Sequence, residues 1–394
     1  MDWRASLQAA WWRASDAGPS QGPGGRGLWA PLLPLAAIYG LLWRLHRWSY
    51  RSGLRRAQRA PVPVIVVGNL IVGGAGKTPT TIALVQALQQ RGWTPGVVSR
   101  GFAAAYAADS AGASDNASGN ASDNASHDTS DNAARNPAHE VSATSSAAAV
   151  GDEPLLIRRR TGVPVWVARR RIDAANALCA AHPEVDLVVA DDGLQHLALH
   201  RDAQLIVFDD RGIGNRRLLP AGPLREPFTS APPPRSVVLY NAAAPSTPWH
   251  GGCAQRSLAG AVPLRAWWAG APATLAGLDA LRRGPVLAAA GIAAPERFFA
   301  MLEAAGLQVE RLPLPDHARL DPRPWPASDQ RIVVTEKDAV KIAPDAADAA
   351  RVHVATLDFR IPAATVDALM LMLPPRAPRP IDDSHHASPD HPTR

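Results

Sequence analysis

Short apolar runs recur along most of the chain, and longer amphipathic stretches separate them. Residues 62–67, 97–99, 163–168, 186–190, 203–208 and 236–239 read as buried strands. The last third repeats the pattern at 285–289, 332–335 and 352–357. Between these runs, 77–90, 172–181, 295–305 and 363–372 carry the spacing of helices with one buried face. Apolar strands alternating with such helices predict an α/β fold. It should hold a mostly parallel, helix-covered sheet and a second, smaller α/β domain. The expected organisation is an N-terminal extension over 1–60, a core over 61–235, a second domain over 236–373 and a disordered tail from 374 to 394.

Two stretches break the rhythm. Residues 103–149 are mostly Ala, Ser, Asn and Asp, with SDNAS at 114–118 and again at 122–126. Lacking any apolar period, this insertion into the core is expected to be disordered, with order returning at Gly151. Residues 28–43 instead form an uncharged apolar run, short of the ~20 residues that span a bilayer. The arginines Arg44, Arg47, Arg51, Arg55, Arg56 and Arg59 follow it, and no acidic residue occurs from Arg26 to Arg59. Apolar length followed by a basic collar predicts a membrane-associated helix over roughly 28–50, facing anionic lipid on the cytoplasmic side. Whether it spans or lies in the interface stays open.

The formal net charge of +6 points to an anionic partner: nucleic acid, acidic membrane or phosphorylated substrate. No nucleic-acid motif and no basic–aromatic stripe outside the N-terminal segment supports the first. Only three of the 41 basic residues are lysines, Lys77, Lys337 and Lys341, and the rest are arginines. Under so strong a bias a surviving lysine either marks a place that needs a compact ammonium group or is simply left over, and for Lys337 and Lys341 both readings stay open. Cys179 and Cys253 have neither disulfide-framework nor zinc-site spacing.

The strongest local signal follows the first strand: Gly68-Asn69-Leu70-Ile71-Val72-Gly73-Gly74-Ala75-Gly76-Lys77-Thr78-Pro79. This is a variant phosphate-binding loop. Ile71 stands where the general pattern has glycine, and Gly73 and Gly74 supply the flexibility. Backbone N–H groups of Gly73, Gly74, Ala75 and Gly76 are expected to cradle phosphate. Lys77 should reach the β- and γ-phosphates of ATP, and Thr78 should offer its hydroxyl to Mg²⁺. Such a loop needs an acidic residue at another strand end. Asp191 and Asp192, after 186–190, fill that place, with the choice between them open. One reading is a membrane-attached P-loop ATPase acting as a switch or positioning protein. That class carries a lysine just before the paired glycines, where this chain has Val72.

Further strings carry a more specific likeness. With the loop they are Ser99-Arg100-Gly101-Phe102, Gly151-Asp152-Glu153-Pro154, Asp191-Asp192-Gly193-Leu194-Gln195-His196 and Leu219 through Pro227. Asp316-His317 and Thr335-Glu336-Lys337-Asp338 complete the set. In this order, from residue 61 to about 360, they resemble the tetraacyldisaccharide 4'-kinase family of lipid A synthesis. Ile71 and Ala75 depart from hydroxyl residues usual in that family's loop, and Leu194 from an aromatic.

The resemblance implies transfer of the ATP γ-phosphoryl group to the 4'-hydroxyl of a tetraacyl glucosamine disaccharide 1-phosphate, forming lipid IVA. The enzyme is then expected at the cytoplasmic face of the bacterial inner membrane, with a membrane-embedded glycolipid as substrate and no obligate protein partner. Asp152, which alone would read as a helix N-cap, becomes the implied base. His317, alone a surface residue of a Pro-rich loop, becomes the group that orients it. Arg171 and Arg225 are implied phosphate partners. Asn69, Arg100, Gln195, His196 and Glu226 are implied to line the sugar site. The Thr335–Asp338 string falls outside the expected catalytic set.

Overall fold

A computed structural model of the chain describes residues 3–12, 29–101, 138–142 and 144–376. Thirteen strands are described in two sheets. In chain order, β1 is Val64–Gly68, β2 Pro95–Ser99, β3 His139–Glu140, β4 Val165–Val167, β5 Leu187–Ala190, β6 Ala203–Asp209, β7 Ser236–Asn241 and β8 Gly252–Cys253. These form the larger sheet, ordered β3-β4-β2-β5-β1-β6-β7-β8 and parallel except for the edge strand β3. β9 is Gln255–Pro263, β10 Val286–Ala290, β11 Val309–Pro313, β12 Arg331–Thr335 and β13 Val352–Arg360. They form the second sheet, ordered β11-β10-β12-β13-β9, with only β9 antiparallel.

The apolar runs explain the layout. β1, β5 and β6 are buried along their whole length, as central strands of a helix-covered sheet must be. β1 lies mid-sheet between β5 and β6, so its following loop opens onto the carboxyl edge where ligands of such sheets bind. That loop runs into helix Lys77–Gln90, with the bounds the periodicity predicts.

Other boundaries differ from expectation. β7 pairs in parallel with β6, and β8 with β7, so the first sheet continues past the anticipated boundary at 235. Strand pairing, invisible in the local pattern, decides which sheet owns the segment. Order also returns before Gly151. β3 pairs antiparallel with β4, and helix Ala147–Val150 follows. The rest of the predicted disordered insertion, and the tail beyond 376, lie outside the described residues.

The two sheets share one large apolar cluster that includes Leu88, Val262, Ile332 and Val334. Polar ties reinforce it. Arg160 pairs with Glu336, and Arg159 donates to the carbonyls of Trp267 and Trp268 at 2.9 Å while lying over both indoles. Burial strips water from this guanidinium, and the ring faces and the two carbonyls offset part of that loss.

The N-terminal helix Leu33–Arg51 rests on the first sheet's carboxyl edge. Gly40 faces Leu218 so closely that a Cβ would sit 2.9 Å from its Cδ1. Tyr39 Oη donates to the Arg225 carbonyl at 2.6 Å. The opposite face exposes Leu35, Ile38, Leu41, Leu42, Leu45 and Trp48. Their spacing makes one continuous apolar stripe. Among the described residues no helix is long and apolar enough to cross a membrane.

Candidate active site

The glycine-rich loop after β1 owes its shape to its neighbours. Gly73 and Gly76 have φ of 84° and 86°, the left-handed region open to glycine. At Gly76 a Cβ would sit 2.2 Å from Asn241 Nδ2, so no other residue fits. Asn241, at the end of β7, donates to the Ala75 carbonyl at 3.2 Å. Arg211 donates to the Gly74 carbonyl at 3.1 Å and is anchored on Asp209. The Leu219–Pro227 string braces the loop's other side, through Val72 N–H to Pro223 O and Arg225 N–H to Leu70 O. Asn241 and Arg211 were not anticipated. Each is a polar residue at or just past a strand's carboxyl end, which is the signal that marked them.

Lys77 is buried at the start of its helix. Its ammonium lies 3.3 Å from Asn69 Oδ1 and 3.6 Å from Asp192 Oδ1. Asp192 has φ 46°, a strained value for a residue with a side chain. Burial alone would raise its pKa, but the charges of Lys77, Arg225 and Arg171 hold it below the ordinary carboxylate value. Asp191 is different. Thr81 Oγ1 donates to its Oδ1 at 2.7 Å, while its Oδ2 is buried without a hydrogen-bond partner among the described residues. Burial, with Glu153 and Asp192 nearby, pushes its pKa up to about 7. An unpartnered buried carboxylate oxygen is costly unless a cation sits against it.

Across from this cluster, Asp152 opens helix Asp152–Thr161, with Gly151 as its N-cap at φ 98°. Its carboxylate lies 3.1 and 3.0 Å from His317 Nδ1. His317, on the loop after β11, has φ 58°, a second strained position in the same site. Burial pushes the Asp152 pKa up, but the His317 hydrogen bond and the Lys337 charge outweigh it, and the net shift is downward. The bond to Asp152 raises the pKa of His317 in return, against burial and Lys337. Lys337, absent from the expected site, reaches Glu153 Oε1, Asp316 Oδ1 and His317 Nε2 at 3.0, 3.1 and 3.2 Å. Its rarity in an arginine-rich chain was the available signal.

Two cavities meet here. One, of about 460 Å³, is lined by Gly73, Gly74, Gly76, Lys77 and Thr78 and by apolar residues of the second sheet's face. The other, of about 600 Å³, is lined by Tyr39, Arg100, Asp152, Arg171, Gln195 and His196 among others. Glu153, Asp192, Arg225 and His317 line both.

Some anticipated residues sit elsewhere in the arrangement. Arg171 lines the second cavity, but its guanidinium donates to the Asp191 and Asp192 carbonyls at 2.7 to 3.2 Å. It shapes the acidic turn, because its helix begins directly beside that turn. Asn69 and Glu226 are buried behind the cavities. Asn69 donates to the Gly73 carbonyl, and Glu226 accepts from Gln195 at 2.9 Å and faces Arg47. Burial among arginines lowers the pKa of His196 to about 4, so this wall of the second cavity carries a neutral imidazole.

Comparison with known proteins bears on this geometry. The family described as Tetraacyldisaccharide-1-P 4'-kinase matches residues 28–124 and 131–373. Tetraacyldisaccharide 4'-kinase of Leptothrix cholodnii is 50% identical over 359 residues, covering 90% of this chain and 94% of its own. That of Methylibium petroleiphilum is 48% identical over 356 residues, covering 89% and 91%. The crystal structure of LpxK from Aquifex aeolicus in complex with ATP has the same fold, with a TM-score of 0.63 at 22% identity, over 88% of this chain and 99% of that one. Matched along most of its length and half identical to its relatives, this chain belongs to the tetraacyldisaccharide-1-P 4'-kinase family.

Proposed function

We propose that this chain transfers the γ-phosphoryl group of ATP to the 4'-hydroxyl of a tetraacyl glucosamine disaccharide 1-phosphate, yielding lipid IVA and ADP. The observation that carries this is the meeting of a phosphate-loop cavity and a second cavity at Asp192, Arg225 and His317, with Asp152 on the second side. ATP fits the first cavity, its phosphates against the loop N–H groups and the positive end of the following helix. The acceptor sugar fits the second, its hydroxyl beside Asp152.

Phosphoryl transfer asks the protein for position and charge more than for covalent chemistry. The acceptor oxygen bonds to the γ-phosphorus as the bond to the bridging β–γ oxygen breaks. Asp152 takes the hydroxyl proton, and His317 holds its carboxylate in line. Lys77 and Arg225, on either side of Asp192, offset the charge that spreads over the transferring oxygens. The unpartnered Asp191 oxygen, Asp192 and the buried Thr78 hydroxyl form an oxygen-only donor set suited to Mg²⁺, which keeps waters and phosphate oxygens as its other ligands. Bound there, Mg²⁺ supplies further neutralisation of phosphate charge. The first α/β body, the second sheet and the N-terminal helix act as nucleotide domain, closing wall and membrane foot.

The test is transfer of label from γ-labelled ATP to the tetraacyl acceptor in detergent micelles. Labelled lipid dependent on added acceptor is the expected result. ATP hydrolysis with no lipid labelled would sink the reading in favour of a switch ATPase.

A lipid acceptor stays in its bilayer, and the exposed stripe of helix Leu33–Arg51 supplies apolar area for docking at the inner leaflet's cytoplasmic face. The arginines that follow it face anionic headgroups. Leu41→Glu combined with Leu42→Glu should abolish co-sedimentation with phosphatidylglycerol vesicles and leave the fold intact, since both side chains are exposed. Undiminished vesicle binding by the folded variant would remove the stripe from the interface.

A further inference from the structure

We propose that Lys337 is a positioning residue that fixes the tautomer of His317, and through it the proton-accepting state of Asp152. The inference rests on the phosphotransfer reading above and gives a role to a residue that the sequence reading left outside the catalytic set.

The argument is one of hydrogen counting. An ammonium group has three donors and no acceptor. Lys337 Nζ spends them on Glu153 Oε1, Asp316 Oδ1 and His317 Nε2, at 3.0, 3.1 and 3.2 Å. The nitrogen facing it can therefore only accept. A neutral imidazole that accepts at Nε2 carries its hydrogen on Nδ1. Nδ1 is the atom 3.0 to 3.1 Å from the two Asp152 oxygens, so His317 donates to the carboxylate. Asp152 is then held as an acceptor, with its remaining lone pairs toward the acceptor cavity. A second proton on His317 would have to displace the ammonium. The dyad thus ends at Asp152 and does not relay its proton outward through Nε2.

The surroundings keep Lys337 charged. Burial works against the ammonium, but Glu153, Asp152 and Asp316 outweigh it and raise its pKa. A second lysine near the dyad, Lys341, is committed to Asp338 Oδ1 at 2.7 Å and the Ala318 carbonyl at 3.1 Å. Asp338 in turn holds the Gly291 N–H at 3.0 Å. The groups facing the dyad are therefore Glu153 from the Asp152 helix, Asp316 from the His317 loop, and Lys337 and Lys341 from the segment after β12. Lysine suits the place because a planar guanidinium cannot direct three donors at three separate acceptors from one atom.

The test uses full-length protein with ¹⁵N-labelled histidine in micelles, His317→Asn assigning the resonance, together with pH profiles of kcat. Wild-type His317 should show hydrogen on Nδ1 and a bare Nε2. In Lys337→Met the ring should take up a proton more readily. Asp152 should lose a charge that favours its ionised form, moving the acid limb of kcat upward by about one pH unit. KM for ATP should hold, and kcat should fall about tenfold on the acid limb, the equivalent of that one unit, while changing little at neutral pH where Asp152 stays ionised. A wild-type Nε2–H tautomer would overturn the proposal, and so would a Lys337→Met profile that superimposes on wild type. Should Lys337→Met fail to fold, the wild-type tautomer decides alone. If wild type labels no lipid, the kinase reading fails while the tautomer still answers this question.

Discussion

Replacing Asp152 by alanine lowers kcat by ~10²–10⁴, the usual contribution of a positioned general base, and leaves ATP binding close to wild type. The separation of the two effects follows from geometry. Asp152 lines the acceptor cavity and not the phosphate-loop cavity. Asp152→Asn should be as inactive, since it keeps the shape but not the basicity. The pH dependence has a definite sign. The folded-state pKa of Asp152 is lowered, so its base form is present through the neutral range, and activity is lost only as pH falls through the titration of the Asp152–His317 pair. Steady-state kinetics with ATP and acceptor varied separately checks all three statements. A folded Asp152→Ala protein with wild-type kcat would remove it as the base.

Lys77→Ala should cost ~10²–10³ in kcat, the scale for removing one preorganised charge from developing negative charge, and here ATP affinity should fall as well. The ammonium is buried at the head of the loop's helix, between Asn69 and Asp192. Without it Asp192 retains Arg225 at 3.1 Å, but the ammonium at the head of the loop's helix is gone. Lys77→Arg should not restore the rate, because the space against Asn69 Oδ1 admits a single nitrogen and not a planar fork. Calorimetric titration with ATP, read beside kcat, separates binding from chemistry. Retained affinity and retained turnover in the alanine variant would place the phosphates elsewhere.

Much of this arrangement could be read before any coordinates. The loop's helix begins at Lys77 and ends at Gln90 as its periodicity requires, because its inner face is apolar and strand β1 precedes it directly. β1, β5 and β6 were visible because a strand buried on both faces is apolar along most of its length. β11 was not, since it is an exposed edge strand whose Glu310 and Arg311 break any pattern. The helix Asp152–Thr161 was obscured by Arg158, Arg159 and Arg160. They suit a helix C-terminus: Arg158 donates to the Gly162 and Val163 carbonyls, while Arg160 binds Glu336 and Arg159 the Trp267–Trp268 carbonyls far along the chain. At the site, the acidic turn and the loop were legible because their chemistry is local. That Arg171 holds the Asp191–Asp192 turn depends on strand order within the first sheet, and that His317 and Lys337 reach Asp152 and Glu153 depends on how the two sheets meet; no local pattern encodes either. Lys337 lies 184 residues from Glu153, its partner at 3.0 Å.

In the proposed function the helix Leu33–Arg51 does more than dock at lipid. Tyr39 on it lines the acceptor cavity and is bonded to the Arg225 carbonyl, and Arg47 faces Glu226. The surface proposed to meet lipid and the wall proposed to meet sugar thus belong to one helix. Turnover on such an enzyme follows the mole fraction of acceptor within the bilayer and not its molarity in the vessel. Adding inert phospholipid at constant total acceptor slows the reaction, because the encounter takes place in two dimensions.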